Sequence, residues 1–120
     1  MTDKTNARSN SARLTYSTMI FCSKCISEGK IKICEPPIEI RVVNISREGL
    51  CISTTEEFKE GAFLEFDITL EDTLYESISA KIMWTINNQS EYKYGLRINN
   101  ITGKFSRHIY KLENRLLTSI

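Results

Sequence analysis

Five apolar residues at every second position, Ala62, Leu64, Phe66, Ile68 and Leu70, stand opposite Glu65, Asp67 and Thr69. A period of two belongs to a β-strand with one dry face and one wet face. No helix could bury such a set on one side. The same period recurs along the chain. Leu14, Tyr16, Thr18, Ile20 and Cys22 alternate with Thr15, Ser17, Met19 and Phe21, a strand with mixed faces, and Ile38, Ile40 and Val42 alternate with Glu39 and Arg41. Leu50–Thr54 reads as a further strand, Ile78, Ala80, Ile82, Trp84 and Ile86 predict one face of the next, and Tyr92, Tyr94, Leu96 and Ile98 that of the last. Turn signals separate these runs: Glu28-Gly29-Lys30, Lys59-Glu60-Gly61, Glu71-Asp72-Thr73 and Asn87-Asn88-Gln89-Ser90. Ile31–Cys34 can return as a hairpin, and Pro36-Pro37, which cannot donate ladder hydrogen bonds, marks a break or an edge. About six strands joined by tight turns must be antiparallel, and in so short a chain they close most readily into a barrel without exposed edges.

After Thr102-Gly103 the period changes. Phe105, Ile109, Leu112 and Leu116 fall at helical spacing, with Arg107, Lys111, Glu113 and Arg115 on the other side. The expectation is a mainly β chain, a six-stranded antiparallel barrel with one C-terminal α-helix over about 103–118. That helix's apolar stripe either covers the barrel or offers a docking face.

Composition narrows the function. The 120 residues carry 16 Lys plus Arg against 15 Asp plus Glu, a net charge of +1. That balance argues against a protein whose task is to hold duplex nucleic acid. No apolar run approaches the ~20 residues of a membrane span, and Met1–Arg13 is polar throughout, without the apolar core of a secretory signal. A cytoplasmic protein with reduced thiols is expected. Residues 1–13 hold Lys4, Arg8 and Arg13 against Asp3 and few large apolar side chains, so they read as a flexible basic arm preceding a domain over 14–120.

Catalytic chemistry finds little support. The single histidine, His108, reads as a solvated helix residue; the five glycines are scattered, so no phosphate-cradling loop is visible, and no nucleophile–base pattern appears. No enzyme activity, cofactor or metal is expected. Cys22-Ser-Lys-Cys25, completed by Cys34 and Cys51, could in principle hold zinc, but the last two are isolated and free cysteine is a common core residue. Tyr92 and Tyr94 could stack single-stranded bases, though the sequence shows no basic groove to go with them.

The segment Arg41-Val-Val-Asn44-Ile-Ser46-Arg47-Glu48-Gly49-Leu50 is the exception. A strand ends in a short polar loop and the next strand starts at once. Asn44 and Ser46 carry the donors and acceptors that could read a purine edge, and Gly49 permits either positive φ or a close backbone approach. A hairpin connection with an Asx-type turn accounts for the same residues. Asn44-x-Ser46-x-x-Gly49 before an apolar strand resembles the (Asp/Asn)-x-Ser-x-x-Gly signature of PilZ domains. Gly61 before the next strand, Ala80-Lys-Ile-Met-Trp84, Tyr94-Gly95-Leu96-Arg97-Ile98 and the terminal helix are similar to the rest of that family's pattern, in order, over residues 38–118.

The resemblance implies a six-stranded barrel and, as in many members, a receptor for the bacterial second messenger cyclic di-GMP. It assigns Arg8 and Arg13 in the arm to phosphate and guanine contacts, Asn44 and Ser46 to a guanine, and Gly49 to making room. The family's arm motif is Arg-x-x-x-Arg; here four residues separate the two arginines. Ordering of residues 1–13 over the ligand would pass the signal to a downstream protein. The alternative is a PilZ-like protein-interaction module that does not bind cyclic di-GMP and docks through the Phe105–Leu116 face.

Overall fold

The computed structural model describes residues 14–99 and 103–118, with side chains from 17 to 99 and from 103 to 115. Six strands form a closed antiparallel barrel: β1 (Leu14–Ser27), β2 (Lys30–Ile45), β3 (Gly49–Thr54), β4 (Phe63–Leu70), β5 (Thr73–Asn88) and β6 (Glu91–Ile98). The order around the barrel is β1-β2-β3-β6-β5-β4, closed by β4 against β1. A helix, α1 (Gly103–Thr118), follows. Among the described residues no helix is long and apolar enough to cross a membrane.

The alternation over 62–70 is realised as read: Ala62, Leu64, Phe66, Ile68 and Leu70 are all buried. They pack with Ile20, Ile40, Val42, Leu50, Ile52, Ile78, Ala80, Ile82, Tyr94, Leu96 and Ile98 to fill the barrel. Phe105 and Ile109 of α1 join this core and Leu112 is buried beside them, so these three residues of the apolar stripe cover one mouth of the barrel. At the opposite mouth Phe58 packs edge-on against Tyr94, centroids 5.5 Å apart. There the Tyr94 hydroxyl donates to the Glu56 carbonyl at 2.9 Å and accepts from the Phe58 amide at 2.7 Å. Tyr94 is therefore fully buried, and its ring is closed to the base stacking that the sequence allowed.

Four differences from the sequence reading have local causes. β1 runs five residues beyond Cys22, because Glu28 and Gly29, both at positive φ, form a two-residue turn whose twist suits a long hairpin. β2 runs on through Pro36-Pro37 as one strand, but the prolines do mark both a break and an edge: Cys22 pairs with Ile38 and Lys24 with Ile33, so they sit in a bulge opposite Ser23, on a stretch of β2 that pairs with β1 alone. In β5 a register shift between Ile82 and Trp84 reverses the parity of the strand. Ile86 is consequently 53% exposed instead of lining the core, and Trp84 lies across Gly95, where any Cβ would come within 2.1 Å of the indole. The paired motif residues Trp84 and Gly95 thus form one packing contact.

The fourth concerns β2. Ile40 and Val42 point inward, yet the next buried apolar residue is Ile45, three positions on. A bulge at Val43 against β3 resets the alternation, and opposite it β1 carries an extra residue of its own between Thr15 and Thr18. Without it Asn44 would face the core.

Candidate functional site

The topology gathers one end of the barrel. The start of β1, the β2–β3 connection, the β4–β5 turn and α1 all lie there, since each strand reverses the direction of the last. Leu14 pairs with Ile45 and Thr15 with Asn44, so the long β1–β2 hairpin folds the beginning of the described chain back onto the Asn44–Gly49 segment.

Asn44 belongs to β2, paired with Cys51 as well as Thr15, and does not sit in the loop; the Val43 bulge leaves it half-buried. The loop itself is Ser46, Arg47 and Glu48. It is closed by the Ser46 amide donating to the Gly49 carbonyl at 2.8 Å. The Ser46 hydroxyl, on a residue only 4% exposed, reaches the same carbonyl at 3.4 Å, a long bond. Gly49 is required for packing: an added Cβ would stand 1.8 Å from the Leu96 carbonyl oxygen, so the room that glycine leaves is taken by the β6 backbone and not by open space for a ligand. Ile98 adds a hydrogen bond from its amide to the Glu48 carbonyl at 3.0 Å, tying the loop to β6. Arg8 and Arg13 lie outside the described residues, as does the whole 1–13 arm.

Arg47 was not singled out by the sequence. Its Nε lies 3.2 Å from Glu113 Oε1 on α1, and its guanidinium stands over the Tyr110 ring, 5.2 Å from the centroid. Glu113 is 5% exposed, and its Oε2 has no hydrogen-bond partner among the described residues. A buried carboxylate held by one cation at the loop makes α1 dependent on the loop's conformation. Nothing in the linear sequence pairs positions 47 and 113.

His108 also departs from its reading. Its side chain is 15% exposed and sits between two partners. The Glu71 carboxylate 2.9 Å from Nε2 can only accept, so Nε2 donates, and in the neutral ring Nδ1 accepts from the Tyr75 hydroxyl at 2.7 Å. Arg115 donates to the same Glu71 oxygen at 2.7 Å. Arg115 first and His108 second hold the Glu71 carboxyl down at about 2.

The four cysteines are free and buried. Burial is the main reason that the Cys22 thiol is pushed up to about 12, with nearby Cys34 and Cys25 adding to it; burial likewise raises Cys25. Thiols so disposed are poor thiolate donors. Among the described residues no group of His, Cys, Asp or Glu is arranged to hold a metal.

Among solved structures, the fold is similar to that of the Bacillus subtilis inhibitor of motility, MotI/DgrA, with a TM-score of 0.72 and 17% identity over 97% of this chain and 54% of the other. The PilZ domain of YcgR from Escherichia coli, solved with c-di-GMP, superposes with a TM-score of 0.64 and 12% identity over 93% of both chains. MrkH of K. pneumonia gives 0.64 and 15% identity over 99% of this chain and 52% of that one. The chain therefore spans about half the length of MotI/DgrA and MrkH. At these identities the likeness shows the fold alone. Comparison with curated proteins finds no match. The family model for the PilZ domain matches residues 7–113, which takes in the arginines of the arm, the Asn44–Gly49 segment, Trp84, Gly95 and most of α1. With that match over nearly the whole chain and the barrel it describes, this protein belongs to the PilZ domain family.

Proposed function

We propose that this chain is a cyclic di-GMP receptor in which the arm before Leu14 closes over a ligand held at Asn44 and the Ser46–Gly49 loop. The observation that carries the reading is the register of β1 on β2. Leu14 pairs with Ile45, and covalent geometry keeps Arg13 within ~3.8 Å of Leu14, Cα to Cα. Arg8 is five residues further out, a reach of at most ~18 Å. The loop is thus within reach of both arginines, whatever the extra residue in their spacing. Arginine suits this ligand: its planar fork matches phosphate oxygens and the O6/N7 edge of guanine, and it stacks on bases. The solved PilZ domain of YcgR holds c-di-GMP, which supports the choice of ligand.

Within the site the roles divide. Asn44, half-buried and turned out of the core by the Val43 bulge, is the base-reading residue, and Ser46 and Gly49 shape the loop beside it. Arg47 gives the ligand-bound loop a route to α1, and through it to a protein partner. Isothermal titration of the full chain with cyclic di-GMP, repeated with single-stranded DNA, tests the reading. Saturable binding of the first and none of the second is expected. Silence with cyclic di-GMP overturns it.

A further inference from the structure

The cations of α1 lie on one side. At about 100° per residue, Lys104, Arg107, His108, Lys111 and Arg115 fall within about 100° of arc. With Glu71 and Tyr75 of the β4–β5 hairpin they line a cleft of about 370 Å³. A neighbouring depression along Thr73, Leu74, Glu76, Ile78 and Gly103 shares Tyr75, Lys104 and Arg107 with it. Ligand pockets begin at about this size.

The charge is concentrated here and left unbalanced. Among the described residues Glu71 is the only carboxylate lining the cleft, and it is already engaged by Arg115 and His108. Lys104, Arg107 and Lys111 are exposed and make no ion pair among the described residues. Four cations against one carboxylate leave the cleft at +3, while the whole chain stands at +1. Like charges crowded together repel, and a concave wall focuses their field. From Lys104 to Lys111 the row runs seven residues, about 10 Å along the helix axis, which suits several linked anionic groups better than one. The cleft is also separate from the Asn44–Gly49 loop: Glu113, which receives Arg47, lies about 120–180° around the helix from these four side chains.

We propose that this cleft binds a soluble oligophosphate, two or three linked phosphate groups that are either free or carried by a nucleotide. Lys104, Arg107 and Lys111 neutralise the chain of phosphates, Arg107 by a two-pronged contact, and Glu71 fixes Arg115 and His108 at its inner end. The assignment does not depend on cyclic di-GMP recognition. Titration of the full chain with inorganic triphosphate at low ionic strength is expected to show saturable binding, with amide chemical-shift changes at residues 71–75 and 104–115. K104Q/R107Q/K111Q, all at exposed positions, should weaken it at least tenfold and leave cyclic di-GMP binding unchanged. K30Q/K32Q/K93Q, the same charge change on other faces, should have little effect. ATP in a parallel arm distinguishes a nucleotide-borne from a free phosphate chain. Absence of triphosphate binding, equal weakening by both triple variants, or association with anionic phosphatidylglycerol vesicles without any triphosphate binding would each overturn the proposal.

Discussion

Gly49 and Gly95 look alike in the sequence and are held by different neighbours. A Cβ at Gly49 meets the Leu96 carbonyl oxygen and carbon at 1.8 and 2.9 Å, backbone atoms fixed by the β3–β6 ladder. At Gly95 the obstacle is the Trp84 indole at 2.1 Å, a half-exposed side chain that can swing outward. Overpacking typically costs about 1–3 kcal/mol, and the upper end belongs where nothing can yield. Gly49→Ala should therefore destabilise by about 3 kcal/mol in urea unfolding, and Gly95→Ala by about 1 kcal/mol. Trp84→Ala should remove most of the Gly95→Ala penalty, because it removes the obstacle. Equal losses at the two glycines would show that backbone and side-chain obstacles yield alike. The sequence flagged both positions through motif resemblance, but the residue behind each lies about fifty or ten positions away, and linear spacing is silent on that.

At the scale of elements, period and punctuation told most of the story, and bulges told the rest. The strand over 62–70 was legible because every second residue is apolar without interruption. The β2 bulge had one trace in the sequence, the three-residue step from Val42 to Ile45; the β5 bulge had none, since Ile86 keeps the alternation on paper and is exposed in the fold. A bulge is decided by the partner strands, which a single run of residues does not contain. The same holds for α1. Its apolar face was readable, but its tie to the β4–β5 turn through Glu71 was not, and that tie has a pH signature. Arg115, then His108, hold the Glu71 carboxyl at about 2, below its ordinary 4.5. A carboxylate lowered on folding stabilises the native state above about 4.5 and loses that contribution as pH falls toward about 2. Glu71→Gln should accordingly lower the melting temperature at pH 7, modestly because water screens the group. The gap between variant and parent should close as pH falls from about 4.5 to about 2. A gap that stays constant across that window in calorimetric scans would mean that Glu71 acts through packing and not through its charge.

At the scale of the whole molecule, the barrel brings to one mouth the start of β1, the Asn44–Gly49 loop and the helix, and this arrangement makes the arm's contribution separable from the fold. Among the described residues the buried core lies at or after Ile20, so a chain beginning at Leu14 keeps the ladder to Ile45 and all of that core. It should unfold cooperatively with nearly the parent's midpoint. If the arm clamps cyclic di-GMP, that shortened chain should lose most of its affinity for the ligand. The two arginines should not contribute equally. Arg13 is one bond from a strand residue whose position is set by pairing, whereas Arg8 stands five residues further along the chain, and fixing a longer segment in one bound pose offsets more of its contact energy. Charge-assisted hydrogen bonds contribute roughly 1.5–3 kcal/mol. At 1.4 kcal/mol per decade, Arg13→Ala should weaken binding by roughly tenfold to a hundredfold, and Arg8→Ala by less. Asn44→Ala should reduce affinity without matching the arginine effect, since it removes neutral hydrogen bonds of about 1 kcal/mol. These are measured by calorimetric titration on each variant, with melting temperature as the control for folding. Wild-type affinity in a folded Arg13→Ala variant would detach the arm from the ligand, and full affinity in the chain beginning at Leu14 would confine recognition to the barrel surface around Asn44.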